Sequence, residues 1–89
     1  MVVKHATIDD LNINYVDSEG SGPTIFLFHG NSSSAESFTC LFHSELAKKY
    51  RLIAINFPGH MGSQLPENLS TLSIPYLGKF TRKVIDYFN

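Results

Sequence analysis

Apolar and polar residues alternate strictly along Leu11-Asn12-Ile13-Asn14-Tyr15-Val16, the period-two pattern of a strand with one buried face. Residues 2–8 alternate more weakly, and Asp9-Asp10 between the two runs predicts a hairpin over residues 2–16. Neither turn residue is glycine, which leaves the turn type open. Thr24–Phe28 and Arg51–Ile55 are different: each is a nearly continuous apolar run, as expected of a parallel strand covered on both faces. Between them, Ser33-Ser34-Ala35-Glu36 fits a capping box with Ser33 as N-cap and Glu36 reaching back to it. Phe38, Leu41, Phe42 and Leu46 then recur at helical spacing, and Lys48 and Lys49 suit the negative end of a helix dipole. Strand, helix and strand with short joins predict a βαβ unit over residues 24–55.

Residues 17–23, Asp-Ser-Glu-Gly-Ser-Gly-Pro, read as a loop by composition. Residues 56–72 form a long irregular stretch with Pro58, Gly59, Gly62 and Pro66; loops of that length in a compact domain tend to carry function. A last helix is predicted over residues 73–88, with Pro75 tolerated in its first turn. Its apolar stripe is Leu77, Phe80, Val84 and Phe88, widened by Ile85. The expected fold class is α/β, a three-layer but incomplete arrangement in one small domain, residues 1–89.

Composition narrows the function classes. The 89 residues are 43% hydrophobic and 17% charged, which argues for a globular chain with a thin core. Net charge is −1 and no block of like charge occurs, so nucleic acid and anionic membrane surfaces find no footprint. No apolar run approaches a membrane span and no secretory core opens the chain. A cytoplasmic location without cofactors is the expectation. Cys40 is the single cysteine, which excludes an internal disulfide; its apolar neighbours make it a core filler. Gly20-Ser21-Gly22 lacks a following Gly-Lys-Ser/Thr and precedes a strand, so it is a linker and not a phosphate loop. Histidine and cysteine do not fall at metal-ligand spacing. Asn31-Ser32-Ser33 and Asn68-Leu69-Ser70 match the glycosylation pattern, but without a secretory signal they are chance matches.

The candidate chemistry sits where apolar strands run into small polar turns. Thr24–Phe28 ends in His29-Gly30-Asn31 and leads into a helix, an arrangement that offers backbone N–H groups to an anion or a developing oxyanion. The next strand ends in Asn56-Phe57-Pro58-Gly59-His60-Met61-Gly62-Ser63. A starting hairpin, the His-Gly turn and this second loop, in that order, resemble the α/β-hydrolase family of esterases, lipases, epoxide hydrolases and haloalkane dehalogenases. The second loop is similar to that family's Asp-x-Pro-Gly-His-Gly-x-Ser. The resemblance implies that the backbone N–H of Asn31 belongs to the oxyanion hole, with Gly30 and Asn31 at the substrate and Pro58, Gly59 and His60 in the active-site loop. It also implies that the Asn31 side chain adds a donor, as in dehalogenases that hold halide. Two positions depart from the pattern: Asn56 replaces an aspartate, and Met61 replaces a glycine, where a positive φ would strain it by about 1–2 kcal/mol.

The nucleophile elbow of that family follows the next strand, and its acid and histidine come later. No Gly-x-Ser-x-Gly follows before Asn89. Ser32, Ser33 and Ser34 lie near His29 in sequence, with His43 and His60 as bases, but a triad needs a base oriented by a third group. Simpler roles are expected: His29 packed under the turn, His43 on a solvated helix face, and His5 on an outer strand. The expectation is an N-terminal hydrolase fragment of esterase-like ancestry, inactive alone and meeting a small-molecule substrate only when completed by a C-terminal half. The alternatives are an interaction module that pairs through the charge-free edge of Thr24–Phe28, with self-association as one form, and a small anion-binding domain.

Overall fold

A computed structural model describes residues 2–30 and 33–89. Four strands, β1 (Val2–Ile8), β2 (Leu11–Asp17), β3 (Thr24–Phe28) and β4 (Arg51–Ile55), form one sheet in the order β1-β2-β4-β3. β1 and β2 pair antiparallel from Val2↔Asp17 to Ile8↔Leu11. Asp9 and Asp10 both take positive φ, 54° and 62°, which is the backbone of a type I′ turn. Aspartate tolerates that region better than most residues, so the turn forms without glycine. β2 then pairs antiparallel with β4, and β4 pairs parallel with β3.

Layering follows from the side-chain alternation of β4. Ile53 and Ile55 face one side and join Ile8, Leu11, Ile13, Tyr15, Phe80 and Val84; the last two come from α3 (Ile74–Phe88). Leu52 and Ala54 face the other side, with Val16, Ala35 and Phe42. Ile13, Leu52, Ile53, Ile55, Phe80 and Val84 are wholly inaccessible to solvent. At about 1.5–3 kcal/mol per fully buried large side chain, these six dominate the cohesion of so small a chain. β3 is at the sheet's end and pairs with β4 alone among the described residues; Ile25, Phe26, Leu27 and Phe28 are half-buried.

The single helix expected after β3 is instead three short pieces. A 3-10 turn covers Ala35–Phe38, α1 is Thr39–Phe42 and α2 is Leu46–Lys49. Ser44 makes the break: its Oγ donates to Leu41 O at 2.6 Å and accepts from Leu46 N at 3.2 Å, replacing helical backbone bonds on both sides. His43 is exposed in that break and not on a helix face. Phe38, Leu41, Phe42 and Leu46 nevertheless all reach the core below. Cys40 is exposed, which corrects its reading as core filler: it lies opposite the buried Phe42 side of the turn.

Asp17 also differs from expectation. It ends β2 and is fully buried, bound through Oδ1 to Arg51 Nε (3.1 Å) and through Oδ2 to Arg51 Nη2 (2.5 Å), with Lys4 Nζ 3.5 Å away. Burial pushes its carboxyl up, but the Arg51 fork, the Glu19 amide and Lys4 outweigh this and hold it below the usual carboxylate range. Position 22 must be glycine, because a Cβ there would stand 1.9 Å from Lys49 O. No helix among the described residues is long and apolar enough to cross a membrane.

Candidate functional site

The C-terminal ends of β3 and β4 lie side by side because the two strands are parallel, so the segments that follow them meet at one end of the sheet. Between those segments and the start of α3 lies an open cleft of about 630 Å³. His29 and Gly30 form one wall, Phe57, Pro58 and His60 another, and Leu72, Ser73, Ile74 and Leu77 the third. The lining is largely apolar with a few polar groups, as small-molecule sites usually are. Gly30, Pro58 and His60 thus share one cleft, whereas Gly59 faces away, against Leu65. Asn31 lies outside the described residues. Gly30 is exposed, with open space among the described residues where a Cβ would project.

Two hydrogen bonds tie the turn after β3 to the loop after β4. The first runs through His29, which is buried under the turn. Its Nδ1 lies 2.7 Å from Gly30 O and its Nε2 accepts from Phe57 N at 3.0 Å. A carbonyl can only accept, so Nδ1 carries the proton and the ring is neutral. Burial pulls the His29 pKa down, against the opposing pull of the Gly30 carbonyl and with a further push from nearby His60. The second tie is Asn56, also buried, whose Oδ1 accepts from Ala35 N at 2.7 Å. That bond satisfies one of the free amides at the start of the 3-10 turn. The N-cap is Ser34, not Ser33: Ser34 Oγ accepts from Glu36 N at 3.3 Å, while Ser33 N donates back to Gly30 O at 3.2 Å.

The second loop is held along β2. Asn56 N donates to Asn14 O, Gln64 N donates to Asn12 O, and Asn12 N donates to Gln64 Oε1. Ser63 Oγ donates to Asn56 O at 2.8 Å and accepts from Asn14 N at 2.9 Å. Within the loop, Met61 takes φ 44° and Gly62 φ 89°. Met61 therefore accepts the left-handed backbone, at a cost of about 1–2 kcal/mol. A Cβ at Gly62 would also meet Asn14 Nδ2 at 2.5 Å, so a side chain there would displace the Asn14 amide. That same Nδ2 donates to Met61 O at 2.9 Å and clamps the strained residue.

Sequence reasoning placed the two loops but not their bracing. Asn12 and Asn14 look like the solvent face of an alternating strand, and nothing local marks them as partners of residues some fifty positions away. Neither the His29 nor the His60 imidazole hydrogen-bonds a serine or the cysteine among the described residues. His60 packs its ring 4.7 Å from that of His29, centroid to centroid, with its Nδ1 3.1 Å from Pro58 O. No group of three or more potential metal ligands occurs among the described residues.

Comparison with known proteins gives structural matches only. No family model matches the chain, and no curated protein does. An epoxide hydrolase from Vigna radiata superposes with a TM-score of 0.86 at 20% identity, over 98% of this chain and 28% of its own. A second Vigna radiata epoxide hydrolase gives 0.86 at 16% identity, over 99% and 27%. An N-acyl homoserine lactonase, in complex with N-butanoyl homoserine, gives 0.89 at 27% identity, over 99% and 32%. The chain thus spans less than a third of the length of each of these structures.

Proposed function

We propose that this chain, whose fold is the N-terminal portion of the α/β-hydrolase fold, supplies the oxyanion side of an acyl-transfer site of esterase or lactonase type. The observation that carries this reading is the double brace. His29 and Asn56 fix the turn after β3 from two sides, next to an apolar cleft. A donor fixed before charge develops stabilises an oxyanion without reorganising during the reaction. The backbone N–H of Asn31 is the proposed donor, with Gly30 leaving room for the ligand. The likeness to a lactonase favours a carbonyl substrate, and the likeness to epoxide hydrolases keeps the epoxide as the second candidate.

The 89 residues are proposed to be inert by themselves, since no nucleophile–base pair forms among the described residues. Purified chain should hydrolyse p-nitrophenyl butyrate no faster than buffer. Turnover that disappears on substituting a single serine would refute this. A second reading treats the chain as an interaction module. β3 carries no charge and has one unpaired edge among the described residues, and such an edge takes up a strand from a complementary half or another copy. Sedimentation at micromolar concentration would then show a defined oligomer, and a single monomeric species would refute it.

A further inference from the structure

Gly30 O accepts two hydrogen bonds, from His29 Nδ1–H and from Ser33 N–H. The other face of the same imidazole accepts the Phe57 amide. One side chain thus closes the turn through Nδ1–H and joins it to the second loop through Nε2, and the second of these needs a lone pair at Nε2. A proton there would point a donor at the Phe57 N–H donor, 3.0 Å away. We infer that His29 is a pH-releasable brace: when the imidazole takes up a proton, the turn after β3 detaches from the loop after β4 at Phe57 and stays attached only through Asn56. The proposal rests on the oxyanion reading for its consequence, but not for its geometry.

The surroundings decide how the release is tuned. His60, from the second loop, is the titratable group packed on the ring. Phe57 covers an edge at 5.0 Å between centroids, and α3 offers only Ser73, Ile74 and Leu77 across the cleft. Among the described residues no carboxylate acts on the ring, so only the Gly30 carbonyl offsets the burial of an imidazolium. Burial therefore disfavours the proton, in keeping with the lowered His29 pKa. The contribution of the brace is complete above the ordinary histidine value of 6.5 and declines as pH falls from there toward the lower folded value.

The test is nitrogen-15 NMR on the full 89-residue chain between about pH 7.5 and about pH 4.5. Long-range proton–nitrogen spectra should show His29 as the Nδ1–H tautomer, titrating below the ordinary range. Amide protection of Phe57 should fall about tenfold or more with that titration, while Ala35, held by Asn56, stays within about twofold. His29→Gln supplies an amide oxygen near the Nε2 position that does not titrate, so Phe57 protection in it should be independent of pH. An Nε2–H tautomer, a Phe57 amide unmoved by the titration, or joint loss of protection at Phe57, Ala35 and the β4 amides would each overturn the proposal. Bromide titration followed at residues 30–35 separates the two readings. No binding at any pH removes the oxyanion reading and leaves the brace standing, whereas binding lost in step with His29 protonation supports both.

Discussion

Replacing Asn56 by alanine isolates the second brace. The backbone of residue 56 keeps its bonds to Asn14 and Ser63, so only the Oδ1 acceptor of Ala35 N–H disappears. Ala35 is 3% exposed, so the orphaned amide would be left in a buried position. An unsatisfied buried donor costs about 1–3 kcal/mol, and we take about 2 kcal/mol for Asn56→Ala. With a urea m-value of about 1 kcal/mol/M for a chain of this size, the midpoint should fall by about 2 M with an unchanged slope. Asn56→Asp keeps an acceptor at the same place and should stay within about 1 kcal/mol of the parent at neutral pH. Ser34→Ala removes an exposed cap only, for about 0.5–1 kcal/mol. Urea denaturation followed by far-ultraviolet circular dichroism, with amide exchange at Ala35, measures all three. A midpoint shift under about 0.5 M for Asn56→Ala, or equal damage from Asn56→Asp, would refute the assignment of Asn56 as a brace.

Other substitutions address the rest of the frame. Arg51→Met leaves the buried Asp17 carboxylate with Lys4 as its one counter-charge among the described residues and the Glu19 amide as donor, and should cost about 3 kcal/mol in the same denaturation assay. In the parent chain Asp17 stays ionised below the ordinary 3.8, so its contribution is present above that value and is lost as acidification proceeds toward the folded pKa; Arg51→Met should abolish this acid-side slope. Met61→Gly relieves φ 44° at a half-exposed site and should raise stability by up to about 1 kcal/mol, read as a higher Tm. Tyr76, whose hydroxyl donates to Asp9 at 2.6 Å, has its pKa pushed up to about 12, by burial first and the Asp9 carboxylate second. Stability should therefore decline as pH rises from about 10 towards 12, and Tyr76→Phe should make that decline shallower, the buried Tyr15, whose pKa is also raised, keeping the rest.

Most of the frame was legible because it rests on short-range periodicity. The alternation in β2 and the apolar runs of β3 and β4 name their own buried faces, and Ser73 with Pro75 marks the start of α3, where Ser73 Oγ accepts from Tyr76 N. The segment after β3 shows the limit. Its apolar spacing reports which side chains face the sheet, but not whether the backbone between them is continuous. Ser44 breaks the helix through two side-chain bonds without disturbing that spacing. The cap is Ser34 and not Ser33 because the 3-10 turn starts at Ala35, one residue later than the spacing suggests. Asp17 looks like loop by composition, and its burial is made tolerable chiefly by Arg51, thirty-four positions along the chain, with the Glu19 amide and Lys4. For the site, the residue types announced a turn and a loop, whereas the bonds between them join positions that are far apart in sequence.

Those long-range bonds also bear on how the two readings of the chain relate. β3 presents the candidate turn and is the end strand of the sheet among the described residues, which on its own would make the site hostage to whatever pairs along that edge. The bracing says otherwise. His29 and Asn56 tie the turn to residues on the β4 side, away from the open edge, and β4 is anchored by four residues with no solvent exposure. The turn should therefore hold its shape whether or not another strand joins β3. Asn56→Ala and His29→Gln should alter the amides of residues 30–35 while leaving any self-association constant within about twofold of the parent. A proportional change in both would mean that edge pairing and turn geometry form one cooperative unit, and the independence argued from the braces would fall.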